Sequence, residues 1–287
     1  MNVILTILGS AQDAGVPQPN CFCENCQLAM IDSTYERTAA SLAIILPKQK
    51  EWHLIDCSPD FKVQMRNLQL HHQLQGVAMK GIFLTHAHIG HYPGMMFLGK
   101  EAMNMHQLPV FAGDKMINML TENTPWQQLV TDDNIALERL AHGESYQING
   151  DVSIRPIDVP HRNEFSETFG FWIEGPTKKV LYIPDIDNWR LTNITGLASE
   201  ADICLLDGTF FSAQDLAHIK RDVSQIPHPF IVETMDRLEE LVANGKTAVY
   251  FTHFNHSNPA IDVVSPERAM LEQRGFNIAE DGMEIVL

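Results

Sequence analysis

The sequence has no apolar run near the roughly 20 residues needed to cross a bilayer. It also lacks a basic N-terminal segment followed by a long apolar stretch and a cleavage site. The protein is therefore expected to be soluble, unexported and cytoplasmic, with no membrane partner. Positive charge is scarce too: 20 lysines and arginines face 36 acidic residues, a net charge of −16, and no basic stripe is visible. Such a surface repels polyanions, and binding a long nucleic acid needs clustered cations to displace counterions, so that partner is excluded. A small anion held by a metal ion remains compatible, since a local dication outweighs a distant surface field. Cysteine is sparse and odd in number, five in all, with three crowded into six positions at Cys21, Cys23 and Cys26. A secreted scaffold distributes its bridges along the chain, so a reduced metal site fits this crowding better. Cys57 and Cys204 lie in apolar runs and read as inert core thiols.

Repeats, low-complexity tracts and long linkers are absent as well. With 287 residues and 45% apolar content, the chain reads as one domain over residues 1–287 that carries a Cys-rich loop at 9–28. What it does contain is the stretch from Thr85 to Gly94, Thr-His-Ala-His-Ile-Gly-His-Tyr-Pro-Gly. Three histidines, His86, His88 and His91, follow the apolar run Gly81 to Leu84, where a strand gives way to a loop. Neutral imidazole is a common ligand for zinc, iron and copper. The plain alternative is a histidine-rich surface loop; the spacing after a buried strand and before Pro93-Gly94 favours metal.

Short strands are predicted over Val3–Leu8, Leu42–Leu46, Trp52–Ile55, Pro109–Phe111, Tyr146–Ile148, Val152–Ile157, Thr168–Ile173, Lys179–Ile183, Ile203–Leu206, Ala248–Phe251 and Met283–Leu287. Helix formers occupy Met95–His106, Lys115–Thr121 and Pro266–Gln273, and Ile231, Met235, Leu238, Leu241 and Val242 share one helical face. The methionines after the histidine loop read as core or pocket lining. Several strands end in a chemically useful residue. Asp56 follows one and can brace the histidine loop from behind; Asp60 is read equally as a helix cap. His161, Asp185, Asp207 and His253 each follow another. Asp187 reads as a solvated loop or capping residue. In a layered α/β protein such ends gather at one sheet edge, although spacing alone does not show that they meet. Three thiolates spaced as Cys21, Cys23 and Cys26 can fill three corners of a tetrahedron, with the fourth ligand distant in sequence; a redox pair plus a spare thiol is the competing reading.

The histidine stretch resembles the His-x-His-x-Asp-His signature of the metallo-β-lactamase superfamily, with Gly90 where that family has aspartate. The resemblance spans the whole chain. It implies an α/β fold, an αββα sandwich of two mixed β-sheets flanked by helices. It implies His86, His88 and His161 as ligands of one metal ion, His91 and His253 as ligands of another, and Asp185 bridging them. Gly90 removes one carboxylate from the second site. The opening Leu8-Gly9-Ser10-Ala11 through Val16-Pro17 to the cysteines is similar to two branches, the pyrroloquinoline quinone biosynthesis B group and the phosphonate-pathway cyclic phosphodiesterases. The latter implies a structural zinc held by Cys21, Cys23, Cys26 and His256. Thr252 to Pro259, Leu206 to Phe210 and Ile226-Pro227-His228-Pro229 look closer to the former.

The resulting expectation is a metal-dependent hydrolase of a small phosphodiester or other ester, with zinc, manganese or iron in one or two active-site positions. Asp185 counts among its catalytic groups, and His228 or Asp13 is the proton donor. Oxidation by iron and dioxygen, as in quinone biosynthesis, is the rival; a non-reacting product carrier is a third reading. A homodimer is the assembly kept open. Elemental analysis is expected to show that His88→Ala and Cys23→Ala each remove a different ion, and that Gly90→Asp raises the metal stoichiometry if the second site is merely weakened rather than replaced by water or absent; loss of the same ion from both alanine variants would contradict two separate sites.

Overall fold

The computed structural model describes residues 2–216 and 227–287. One sheet contains β1 (Ile4–Gly9), β2 (Ser41–Leu46), β3 (Glu51–Ile55), β4 (Ala78–Phe83), β5 (Leu108–Ala112) and β6 (Ile135–Arg139). The second contains β7 (Tyr146–Asn149), β8 (Val152–Asp158), β9 (Phe169–Glu174), β10 (Lys179–Ile183), β11 (Ile203–Asp207), β12 (Ala248–Thr252) and β13 (Asn277–Ile278). The last strand, β14 (Glu284–Val286), returns to the first sheet beside β1. The two mixed sheets thus have seven strands each, in the orders β14-β1-β2-β3-β4-β5-β6 and β13-β12-β11-β10-β9-β8-β7.

The strand sequences explain the layering. A strand buried on both faces reads as a continuous apolar run whose alternate residues enter different cores. In β2, Leu42, Ile44 and Leu46 pack between the sheets, while Ala43 and Ile45 face the helices α2 (Phe61–His72) and α3 (Asp114–Glu122). In β10, Val180 and Tyr182 enter the central core, while Leu181 and Ile183 meet the outer core with Met235 and Leu238 of α6 (Ile231–Ala243). Helices therefore cover both outer faces. The amphipathic pattern of α6 is realised: Ile231, Met235 and Leu238 are buried, and Asp236 and Glu239 pair with Arg274. Among the described residues no helix is long and apolar enough to cross a membrane.

Strand direction positions the site. β1 and β3 both run antiparallel to β2, and β4 is parallel to β3, so β1, β3 and β4 share one direction. β8 and β10 both run antiparallel to β9, with β11 and β12 parallel to β10. Each of these groups delivers its C-terminal ends to a single edge of its sheet. The two edges are joined where the Phe169 amide donates to Thr85 O at 3.0 Å and the Gln12 amide donates to Phe254 O at 2.8 Å.

The segment Met95–His106 departs from its predicted helix. Only a 3-10 turn, Pro93–Leu98, forms there, and Gly99 follows it in extended geometry. Asn104 and Gln107 then adopt left-handed φ values of 45°, so an α-helix cannot continue. Met95 is buried in the core as expected, whereas Met96 is 60% exposed. A helix that the spacing did not announce, α1 (Glu24–Ile31), begins just after Cys23 and carries Cys26 in its first turn.

His53 of β3 is buried, and neither ring nitrogen has a hydrogen-bond partner. Burial, with Lys80 adding repulsion, pushes its pKa down to about 4. Between pH 6.5 and 4 the unfolded chain therefore binds the extra proton, so this residue's contribution is intact above 6.5 and is lost as pH falls. Urea unfolding across that window should give His53→Leu a shallower loss than wild type, by up to about 1.4 kcal/mol per pH unit; parallel curves would rule the residue out as an acid-sensitive point.

Candidate metal centre

The joined edges carry the polar cluster. Beyond β3 lies Asp56, whose backbone is left-handed at φ 58°, and beyond β12 lies His253 at φ 61°. Non-glycine residues held there are uncommon and cost on the order of 1–3 kcal/mol. The histidine loop after β4 is pinned by its backbone: the His91 amide donates to His88 O at 3.0 Å, and the Cys57 amide donates to His91 O at 2.8 Å.

One carboxylate oxygen lies at the middle. Asp185 Oδ2 is 3.1 Å from His161 Nε2, 3.3 Å from His86 Nε2 and 3.9 Å from His88 Nδ1. The same oxygen is 3.8 Å from His253 Nε2 and 3.9 Å from His91 Nε2. His88 Nδ1 and His161 Nε2 are 3.0 Å apart. Ligands at about 2.0–2.1 Å from one zinc ion stand roughly 3–3.5 Å apart; the Asp185–His161, Asp185–His86 and His88–His161 pairs have that spacing, and the Asp185–His88 pair is wider at 3.9 Å.

The outer nitrogens explain why the inner ones are available. A carboxylate only accepts, so Nδ1 donates in three pairs: His91 to Asp56 at 2.7 Å, His161 to Asp187 at 2.9 Å, and His228 to Asp207 at 2.8 Å. Thr85 Oγ1 donates to Asp56, leaving it to accept from His86 Nδ1 at 3.0 Å. Thr209 Oγ1 donates to the His253 carbonyl and accepts from His253 Nδ1 at 3.1 Å. Each outer nitrogen is thereby committed as a donor, and the Nε2 atoms of His86, His91, His161 and His253 point inward, the orientation metal-binding histidines require. His86 Nε2, His91 Nε2, His253 Nε2 and Asp185 Oδ1 are buried and lack any hydrogen-bond partner. Orphaned acceptors at this density are costly unless a cation satisfies them, so the residues fit a metal.

The electrostatics differ from ring to ring. Burial would raise the Asp185 pKa, but His253 and His161 hold the carboxyl well below its usual range. Burial pulls His161 down, yet Asp185 and Asp187 overcome it and raise its pKa to about 10. Burial, with His91 adding repulsion, keeps His86 well below the ordinary imidazole value. For His228 the Asp207 carboxylate outweighs burial and raises the pKa.

The thiols form a second group. His256 Nδ1 lies 3.3 Å from Cys21 Sγ, 3.4 Å from Cys23 Sγ and 3.6 Å from Cys26 Sγ. Zn–S near 2.3 Å and Zn–N near 2.0 Å in a tetrahedron put sulfur and nitrogen about 3.5 Å apart. All five cysteines are free, and the four donor atoms lie within 4.8 Å of one another. A closed four-ligand site matches this better than a redox pair with a spare thiol. Cys57 and Cys204 are fully buried, and burial pushes both thiols up, Cys204 to about 12.

The structure thus gathers His86, His88, His91, His161, Asp185 and His253 at one point, with His228 beside them at 3.5 Å from Asp185 Oδ1. Ile226, from the stretch that carries His228, lies outside the described residues. Asp56 braces the loop as expected. Asp187 is more than a solvated loop residue, since it orients His161, and Asp60 makes no cap bond but accepts from the Ala39 amide at 2.9 Å. Asp207, Thr85 and Thr209 were missed as supports. The signal available for them was the repeated placement of a polar residue at the end of an apolar strand.

Comparison with known proteins agrees with this architecture. A model of the beta-lactamase superfamily domain matches residues 51–254. The coenzyme PQQ synthesis protein B of Nitrosococcus oceani is 27% identical, over 99% of this chain and 100% of its own, and that of Methylorubrum extorquens is 27% identical over 99% of each. Among solved structures, zinc-bound PqqB from Methylobacterium extorquens has a TM-score of 0.81 at 24% identity, covering 99% of this chain and 100% of that one. A diphosphatase from the PhnP family has a TM-score of 0.70 at 21% identity, covering 99% and 98%. These two structural likenesses speak to the fold.

Asp187→Ala should free the His161 ring and weaken active-site metal affinity by roughly 10–100-fold, read by competition with a fluorescent chelator; unchanged affinity would mean that the outer hydrogen bonds do not organise the site.

Proposed function

The chain belongs to the beta-lactamase superfamily, and from that premise we propose that it is a metal-dependent hydrolase of a small phosphodiester or other compact ester. The observation that carries this reading is Asp185 Oδ2 lying between two sets of imidazole nitrogens. His86, His88, His161 and Asp185 would hold one ion, and His91, His253 and Asp185 the other, with zinc, manganese or iron as the metal. Bound there, such ions supply Lewis acidity and bring the pKa of water toward neutrality. A zinc ion on Cys21, Cys23, Cys26 and His256 would be structural, tying the loop after β1 to the loop after β12.

The remaining steps belong to the protein's own groups. Asp56, Asp187 and Asp207 keep the imidazoles oriented, so no reorganisation is required when charge develops. Of the two candidates for passing a proton to the leaving group, His228 has the geometry: its Nδ1 is held by Asp207, and it flanks Asp185. Arg162 Nη2 lies 3.3 Å from His88 Nε2 in an exposed position, a local cation at the rim against the acidic surface. This suits a compact anion; long nucleic acids and membranes are no part of the reading. We take the protein as cytoplasmic, and a homodimer is the assembly to test first.

A second reading is favoured by full-length similarity to proteins named for PQQ synthesis. Histidines with a carboxylate and open positions also suit ferrous iron and dioxygen, so oxidation, or carriage of a product, in quinone biosynthesis is the alternative.

Anaerobic purification followed by elemental analysis, a phosphodiester and ester panel, and an oxygen electrode separates these. A redox-inert ion with hydrolytic turnover is expected, and His228→Ala should keep its ions while kcat falls roughly 10²–10⁴-fold. Iron with oxygen uptake and no hydrolysis would move the assignment to oxidation, and ligand binding with neither would move it to a carrier.

A further inference from the structure

The superfamily signature places an aspartate where this chain has Gly90, which on sequence alone leaves the second ion one carboxylate short. The structure shows what fills that space. A Cβ added at Gly90 would collide with Asp13 Oδ1 and lie 2.7 Å from Asp13 Cα and 3.0 Å from Asp13 Cγ. The Asp13 carboxylate, His91 and His253 have ligand atoms within 4.8 Å of one another. Both Nε2 atoms in that group are buried and unpartnered, and each histidine is 1% exposed.

The loop that carries Asp13 is built to accompany the His253 loop. The Phe254 amide donates to Ser10 O at 2.9 Å, and the Gln12 amide donates back to Phe254 O at 2.8 Å. Asn255 Nδ2 adds a bond to Gln12 Oε1 at 2.9 Å. Asp13 and His253 are therefore held in register by backbone bonds on both sides of the contact. A side chain at position 90 and the carboxylate of residue 13 compete for one volume.

We propose that Asp13 supplies the carboxylate of the second metal position, with His91, His253 and the shared Asp185, and that Gly90 is the space this ligand requires. The inference rests on the two-ion reading above and deepens it. The expectation that Gly90→Asp alone would restore a weakened site is accordingly replaced, because that substitution drives two carboxylates into one place.

The test uses the full-length protein stripped by chelator and reloaded with Zn²⁺ or Mn²⁺, with stoichiometry from elemental analysis and affinity from calorimetry. Asp13→Ala should weaken the second ion by at least about 10-fold while the first ion and the cysteine-bound ion stay. Gly90→Asp alone should give no gain over wild type. Asp13→Asn, which keeps the side-chain volume and removes only the anionic ligand, should weaken the second ion to a similar extent, which separates a ligand from a merely structural residue. Retention of the cysteine-bound ion reports that each variant has folded. Wild-type affinity in a folded Asp13→Ala or Asp13→Asn, or a rise in stoichiometry in Gly90→Asp alone, would each overturn the inference. A wild-type protein that binds only the cysteine-held ion would instead defeat the two-ion function itself.

Discussion

The Asp185 carboxylate, buried amid imidazoles, is the constraint that organises the molecule. An unpaired anion in such a place is costly, and so are imidazole nitrogens without partners. Five histidines face one oxygen of this carboxylate within 3.9 Å, His228 lies 3.5 Å from the other, and three further carboxylates stand behind them. The cluster is thus an assembly of fixed dipoles and charges aimed inward. Its preorganisation comes from Nδ1 bonds that cost nothing to re-form when a ligand arrives.

The sheets serve that assembly. Each has an antiparallel half followed by a parallel half, so the strands that bear functional residues all finish at one edge. Doubly buried strands such as β2 and β10 make the platform stiff, because both faces of each are packed. Short loops then take over immediately after the last hydrogen-bonded residue. Left-handed backbone at Asp56 and His253 turns their side chains abruptly toward the centre, and surrounding bonds hold this uncommon geometry.

Two loops remote in sequence also act as one. The segment after β1 carries Asp13, Cys21 and Cys23 in its loop and Cys26 in the first turn of α1, and the loop after β12 carries His253 and His256. Their backbone bonds and the thiol–imidazole group join them at both ends. A metal held by sulfur would therefore stabilise the chain segment that presents Asp13, linking a structural site to the chemistry of its neighbour. The negative surface has no bearing on this interior, where nearby charges dominate.

Most strands and the ligand candidates at their ends were legible in the sequence, because apolar runs of strand length end in His or Asp at β4, β8, β10, β11 and β12; the αββα layering followed from the family resemblance. The helix expected over Met95–His106 was not realised, since propensity is a weak prior and left-handed residues at Asn104 and Gln107 break the run. Asp187 looked solvated because nothing in its local context reveals a contact with a histidine 26 positions away. Gly90 looked like a loss for the same reason: a motif records which residue occupies a position, not which volume another segment fills. The sequence by itself determined where each strand ends and what chemistry it presents there, since both are local properties of the chain. Only the tertiary structure decided which ends meet, which nitrogen of each imidazole faces inward, and that Asp13 occupies the space beside Gly90, because those depend on packing between segments that share no sequence neighbourhood.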